Sequence, residues 1–141
     1  MDDFFAEIGS ALAYGGVGIA LLGLGIVVLD LLTPGNLGRL ITVEGNRSAA
    51  VIASAGLIAI GGIVTTAIAS ADGSLGEGLV ETAAYGGVGI LLMGLAFIVV
   101  DLATPGSLGE TVTQPGDHQP AAWMTAAAMI AVGAIVAAAI S

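Results

Sequence analysis

Four long runs without charged side chains divide the chain. They are residues 8–29, 48–71, 82–100 and 119–141. Each run has about the 20 residues that a helix needs to cross a hydrocarbon core of ~30 Å. The runs are continuously apolar, whereas the strands of a membrane barrel alternate between apolar and polar side chains. The pattern therefore predicts four transmembrane helices, at roughly residues 10–32, 49–70, 82–103 and 121–140.

One apolar segment occurs twice. Residues 13–38 and 84–109 align without a gap at an offset of 71 positions, and 18 of the 26 aligned residues are identical. Such a period marks one structural unit that is used twice. Each unit has two spans, an even number, so the two units run parallel through the membrane. The sequence predicts an all-α integral membrane protein of two tandem, parallel two-helix repeats, residues 1–71 and 72–141.

A Thr-Pro-Gly sequence ends the first span of each repeat and is followed by a short amphipathic segment. In the first repeat Leu37, Leu40 and Ile41 share one helical face, and Arg39 lies off that face. In the second repeat residues 107–110 form a capping box, the pairing of side chains that starts a helix. The pattern predicts a short helix lying at the membrane surface after the first and the third span.

The amino-acid composition argues against several classes of function. The chain is 57% hydrophobic and only 9% charged, with a net charge of −9, no cysteine and one histidine. Two basic residues cannot supply the positive surface that nucleic acid requires, so we expect no nucleic-acid partner. Without cysteine there is no thiolate metal site, and His118 has no second metal ligand within reach. We expect no metal, no cofactor and no enzymatic activity.

Orientation is predicted from the two arginines. Arg39 and Arg47 both lie in the loop between the first two spans. Positively charged loops remain in the cytoplasm, so residues 33–48 and 104–120 are expected inside and both termini outside.

A labelling experiment tests this orientation. Cysteines placed at Ser74 and Ser107 should differ in their reaction with an impermeant thiol reagent added to intact cells. Ser74→Cys should react, because it lies in the outer turn, and Ser107→Cys should react only after the cells are opened. The reverse pattern would show that the protein has the opposite orientation.

Asp30 and Asp101 end the first and third spans and are the strongest functional candidates. An ionisable group within a span is costly and often marks a functional site. The last turn of a helix also disfavours a carboxylate, because the helix dipole is negative there. Two interpretations remain open: the aspartates accept hydrogen bonds from loop amides and fix the turn, or they carry ions or protons.

The polar residues next to the aspartates have the same two interpretations. Thr33 and Thr104 end the spans, and Asn36 and Ser107 precede the predicted surface helices. They either terminate one helix and cap the next, or line an ion path beside the aspartates.

Glycines recur at intervals of seven residues and lead to each aspartate. The two series are Gly9, Gly16, Gly23 and Asp30, and Gly87, Gly94 and Asp101. Residues seven apart lie close to one face of a helix, and a face without side chains lets another helix approach closely in lipid. We expect Gly16, Gly23, Gly87 and Gly94 to pack against other helices and to direct the aspartates towards protein.

The repeated signature Y-G-G…G…D-x-x-T-P-G is similar to that of the bacterial "domain of unknown function 350" group of small transmembrane proteins. The resemblance covers both repeats, essentially residues 10–140. It implies a multi-pass protein of the inner membrane with tandem two-span repeats. It implies no activity.

Two functions remain as hypotheses. The first is a structural or accessory subunit that works through helix packing, with the lipid bilayer around it and copies of itself or other membrane proteins as partners. The alternative is an ion- or proton-conducting assembly that uses Asp30 and Asp101. Conduction requires a continuous polar path from the aspartates to the outer surface, and the spans contain few polar residues.

Overall fold

The computed structural model describes residues 1–104 and 119–141. This part of the chain contains five helices and no strand: α1 Asp2–Leu32, α2 Leu37–Thr42, α3 Arg47–Ala69, α4 Leu75–Ala103 and α5 Gln119–Ile140. All of these except α2 are long and apolar enough to cross a membrane. The predicted all-α fold with four spans is confirmed.

The first and third spans are longer than the apolar pattern predicted. The 31 residues of α1 extend over about 46 Å, well beyond a hydrocarbon core of ~30 Å. Asp2 and Asp3 lie in its first turn, where the helix dipole favours carboxylates. In α4, Ser74 and Glu77 each bond to the other's backbone amide, so this helix begins before residue 82. The prediction found the apolar stretches and missed the polar first turns.

Helices α1 and α4 run parallel, because their contacts advance together along both helices. Tyr14 lies against Gly78, and Leu21 lies against Gly86. Further along, Val28 and Leu32 lie against Gly94.

Helices α3 and α5 also run parallel, and α3 runs antiparallel to α1. Ala59 meets Gly133, and Gly56 of α3 lies near Met129 of α5. Gly25 of α1 meets Ile60 of α3, and Gly18 meets Val64 four residues later on α3. Helix α3 therefore lies between α1 and α5 and also contacts α4.

The centre of the bundle is apolar. Ile60 and Ile63 of α3 and Ile90 and Met93 of α4 are almost completely buried. Their burial removes large apolar side chains from the bundle surface and fixes α3 against α4.

The short segment after α1 is a helix, as the sequence predicted. Leu37 and Leu40 of α2 are buried against the bundle, and Arg39 is exposed. Its position at the membrane surface stays a prediction. The corresponding helix predicted after the third span, with the capping box of residues 107–110, lies outside the described residues.

Candidate functional site

The turn after α1 is held by two polar side chains. The Thr33 hydroxyl donates to the Leu29 carbonyl oxygen at 2.9 Å, and Thr33 is the residue that caps the end of α1. Gly35 follows with a φ of +90°, which a residue with a Cβ rarely adopts. The side-chain oxygen of Asn36 then accepts from the Arg39 amide at 2.9 Å and caps the start of α2. Thr33 and Asn36 thus end one helix and begin the next.

Asp30 joins the last turn of α1 to the first residue of α2. Its Oδ1 accepts a hydrogen bond from the Leu37 amide at 2.6 Å. This amide has no partner within α2, since the first amides of a helix never do. The carboxylate therefore satisfies a donor that burial of Leu37 would otherwise leave unpaired.

A groove of about 400 Å³ lies beside this hydrogen bond, between α1, α2 and α3. Among the described residues that line it, Asp30 and Asn36 are the only ones with polar side chains. The others are aliphatic side chains such as Ile26, Ile41 and Leu57, together with Gly38. The site is thus an apolar groove with one carboxylate, half-buried at its wall.

The second repeat shows a similar helix end. Thr104 caps α4, and its hydroxyl donates to the Val100 carbonyl oxygen at 2.8 Å. Asp101 is half-buried in the last turn of α4. Ser107 lies outside the described residues.

Few polar groups lie inside the described bundle. The buried polar side chains there are Thr33, Ser48, Thr82 and Thr125. The Thr125 hydroxyl donates to the Ala121 carbonyl oxygen, whereas that of Thr82 has no hydrogen-bond partner among the described residues. The large apolar side chains of Ile60, Ile63 and Met93 fill the middle of the bundle. The described chain therefore holds no continuous polar path across the membrane.

Only one of the four glycines predicted to pack does so within the described chain. A Cβ at Gly94 would contact Val28 and Leu32 of α1. A Cβ at Gly16, Gly23 or Gly87 would meet no atom within 4 Å. The face of α1 that carries Gly16 and Gly23 is turned away from the rest of the described chain, and its packing against another molecule stays a prediction.

Several close approaches between helices use glycines that sequence reasoning missed. A Cβ at Gly25 would lie 2.5 Å from Ile60, one at Gly86 would lie 2.6 Å from Leu21, and one at Gly133 would lie 2.5 Å from Ala59. Gly25 lies nine residues after Gly16, which is two and a half helical turns. Helix α1 therefore has glycines on two opposite faces, and the chain itself covers one of them.

Sequence similarity assigns the chain to a family. The sequence pattern of the family described as Domain of Unknown Function (DUF350) matches residues 3–140. The chain belongs to this family. It is similar to a UPF0719 transmembrane protein of Mycolicibacterium paratuberculosis, with 40% identity over 132 residues, which are 94% of this chain and 87% of the relative.

A second relative supports the same assignment. A UPF0719 transmembrane protein of Mycobacterium bovis is 36% identical over 125 residues, 89% of this chain and 82% of the relative. No solved structure matches this chain. Together with four apolar helices, these similarities identify a multi-pass transmembrane protein of a family whose function is unknown.

Proposed function

We propose that this DUF350 protein is a non-enzymatic subunit of a homo-oligomeric assembly in the inner membrane, with both termini outside. The observation that carries the proposal is the uncovered glycine face of α1. Gly16 and Gly23 are exposed, and no atom of the described chain lies within 4 Å of a Cβ at either position. Glycine offers lipid very little surface, whereas it lets a second helix approach to backbone distance.

The burial of the spans supports this proposal. Only 17% of the apolar stretch of α1 is buried in the chain, compared with 44% of that of α3. Helix α1 is thus an edge helix that has one packed glycine face and one free glycine face. A second copy of the chain would pack a helix against the free glycine face, just as α3 packs against the face that carries Gly25.

Ion or proton conduction is the second candidate, and the exposed part of Asp30 favours it. The carboxylate is half-buried at a groove of about 400 Å³, where an ion or proton could reach it. The apolar centre of the bundle argues against an ion or proton path through a single chain. A conducting route would have to run between copies, so this function also requires an assembly.

The mass of the purified particle tests the proposal. In mild detergent and in nanodiscs, we expect a multiple of the 13.6 kDa chain mass. Gly23→Leu should convert this particle to single folded chains. The new side chain separates the α1 backbone from its neighbour, whereas a Cβ at this position meets no atom within 4 Å in the described part of its own chain.

Gly62→Leu is the matched control. Gly62 is an exposed glycine of α3, and a Cβ there also meets no atom of the described chain within 4 Å. It lies outside α1, the edge helix that the proposal places at the interface, and the apolar stretch of α3 is 44% buried in the described chain. This variant should keep the mass of the wild type. A wild-type particle that is a single chain in both environments would contradict the proposed function.

A further inference from the structure

The contact between α1 and α4 has a simple composition, in which α1 side chains cover α4 glycines. The three pairs are Tyr14 over Gly78, Leu21 over Gly86 and Val28 over Gly94. We call Tyr14, Leu21 and Val28 the covering face of α1. We call Gly78, Gly86 and Gly94 the glycine face of α4, which winds around this helix because residues eight apart differ by about 80° in direction. Both helices are the first helices of their repeats, so each face has a counterpart 71 residues away.

The counterpart of the covering face lies uncovered on α4. It consists of Tyr85, Leu92 and Val99, the same three residue types in the same order. Their side chains are 49%, 44% and 58% exposed. Within the described chain, the face that packs on glycines in the first repeat is therefore about half exposed in the second.

The counterpart of the glycine face lies uncovered on α1. Gly15 and Gly23 correspond to Gly86 and Gly94, and both are exposed, with nothing within 4 Å of a Cβ. In the described chain, one half of the α1–α4 contact is thus exposed on α4 and the other half is exposed on α1. The two halves lie on different helices, so one chain cannot join its own.

We propose that neighbouring copies pack α4 of one chain against α1 of the next and so repeat the α1–α4 contact found within the chain. This inference rests on the proposed homo-oligomer and specifies its interface. Tyr85, Leu92 and Val99 of one copy cover Gly15 and Gly23 of the adjacent copy. The helices in the contact are parallel, as α1 and α4 are within the chain, so all copies have the same orientation in the membrane.

The interface joins two different surfaces and is therefore head-to-tail. Such a contact produces a closed ring when its rotation closes, and here the rotation axis is normal to the membrane. One position departs from exact repetition, since Gly78 corresponds to Glu7 on α1. In the chain the Tyr14 hydroxyl occupies the space that a Cβ at Gly78 would need, so between copies the Tyr85 ring has to turn away from the Glu7 side chain. The repeated contact is therefore carried by Leu92 and Val99 over the two glycines.

Disulfide cross-linking tests this interface, and the chain has no cysteine of its own to interfere. Gly23→Cys and Val99→Cys are placed on separately tagged copies, which are co-expressed and oxidised in membranes with a lipid-permeable reagent. The two positions correspond to Gly94 and Val28, where a Cβ on the glycine lies 3.3 Å from the valine side chain. We expect a mixed dimer about tenfold more abundant than any dimer of one variant alone, because a disulfide requires Cα atoms within about 7 Å.

Two controls accompany the pair. Gly23→Cys with Ile98→Cys should not cross-link, because Ile98 has nearly the same depth as Val99 but lies about 100° around the helix. Val28→Cys with Gly94→Cys in one chain should close within the monomer and lose its free thiols without a change in mass.

The outcomes distinguish a failure of the proposed interface from a failure of the proposed homo-oligomer. An oligomer that gives no Gly23–Val99 cross-link, or in which Gly23→Cys cross-links to itself, overturns the interface and leaves the homo-oligomer standing. A wild-type particle that is a single chain overturns both.

Discussion

Gly133→Leu is expected to separate α5 from α3 and to destabilise the fold strongly. A Cβ at Gly133 would lie 2.5 Å from the Ala59 Cβ and 2.8 Å from the Ala59 Cα. A backbone atom cannot rotate aside, so one helix must move. Overpacking of this kind costs about 3 kcal/mol. Lipid offers no hydrophobic gain for bringing helices together, so the lost close packing is not replaced.

Thermal unfolding in detergent, followed by the fluorescence of Trp123 at the start of α5, measures this effect. Gly62→Leu is again the control, because its side chain meets no atom within 4 Å. Leucine also has a higher helix propensity than glycine, by about 1 kcal/mol, so the control should be as stable as the wild type or slightly more stable. If Gly133→Leu unfolds at the wild-type temperature, α3 and α5 are not in the close contact described.

The spans were predictable because lipid imposes a simple constraint on them. Lipid cannot hydrogen-bond to backbone amides and carbonyls, and an α-helix of about 20 apolar residues pairs all of these groups within itself across the hydrocarbon core. The ends of α1 and α4 were not predictable from that constraint. Their first turns carry Asp2, Asp3, Ser74 and Glu77, which are polar residues whose dipole and capping interactions extend the helices beyond the apolar runs.

The inward faces were not predictable, because these helices are apolar all round. Leu21 and Leu24 are the same residue type three positions apart, yet Leu21 is buried and Leu24 is 49% exposed. Hydrophobicity therefore does not distinguish the side facing protein from the side facing lipid. The seven-residue spacing predicted that α1 packs through Gly16 and Gly23. Within the chain, however, α3 packs on the opposite face of α1, at Gly25.

The turn beyond Asp30 was partly predictable. Thr-Pro-Gly ends a helix, and Asn36 is a favoured helix-capping residue, so a backbone amide near the carboxylate was expected. The identity of that amide, Leu37, depends on how α2 folds back onto the bundle. The groove beside Asp30 depends in addition on Ala53 and Leu57 of α3, which are more than 20 positions away in the sequence.

Asp30→Leu is expected to release α2 from the end of α1. The Leu37 amide loses its carboxylate acceptor and has no replacement within α2. A hydrogen bond to a charged group contributes about 2 kcal/mol, and a buried amide left unpaired costs a similar amount. Limited proteolysis of the 33–48 loop and the thermal unfolding temperature in detergent both report the change, and both should show a less stable protein.

Asp30→Asn separates the two functions proposed for the aspartate. Its amide oxygen still accepts from Leu37, and its shape is that of aspartate, so folding and particle mass should match the wild type. If Asp30 only fixes the turn, proton or cation flux into liposomes containing the variant equals that of the wild type. If Asp30 carries ions, the same variant assembles normally and abolishes a flux that the wild type shows. We expect no difference in flux. The Asp30 carboxylate accepts a hydrogen bond from a backbone amide, and the apolar side chains of Ile60, Ile63 and Met93 fill the middle of the described bundle, where an ion would have to pass.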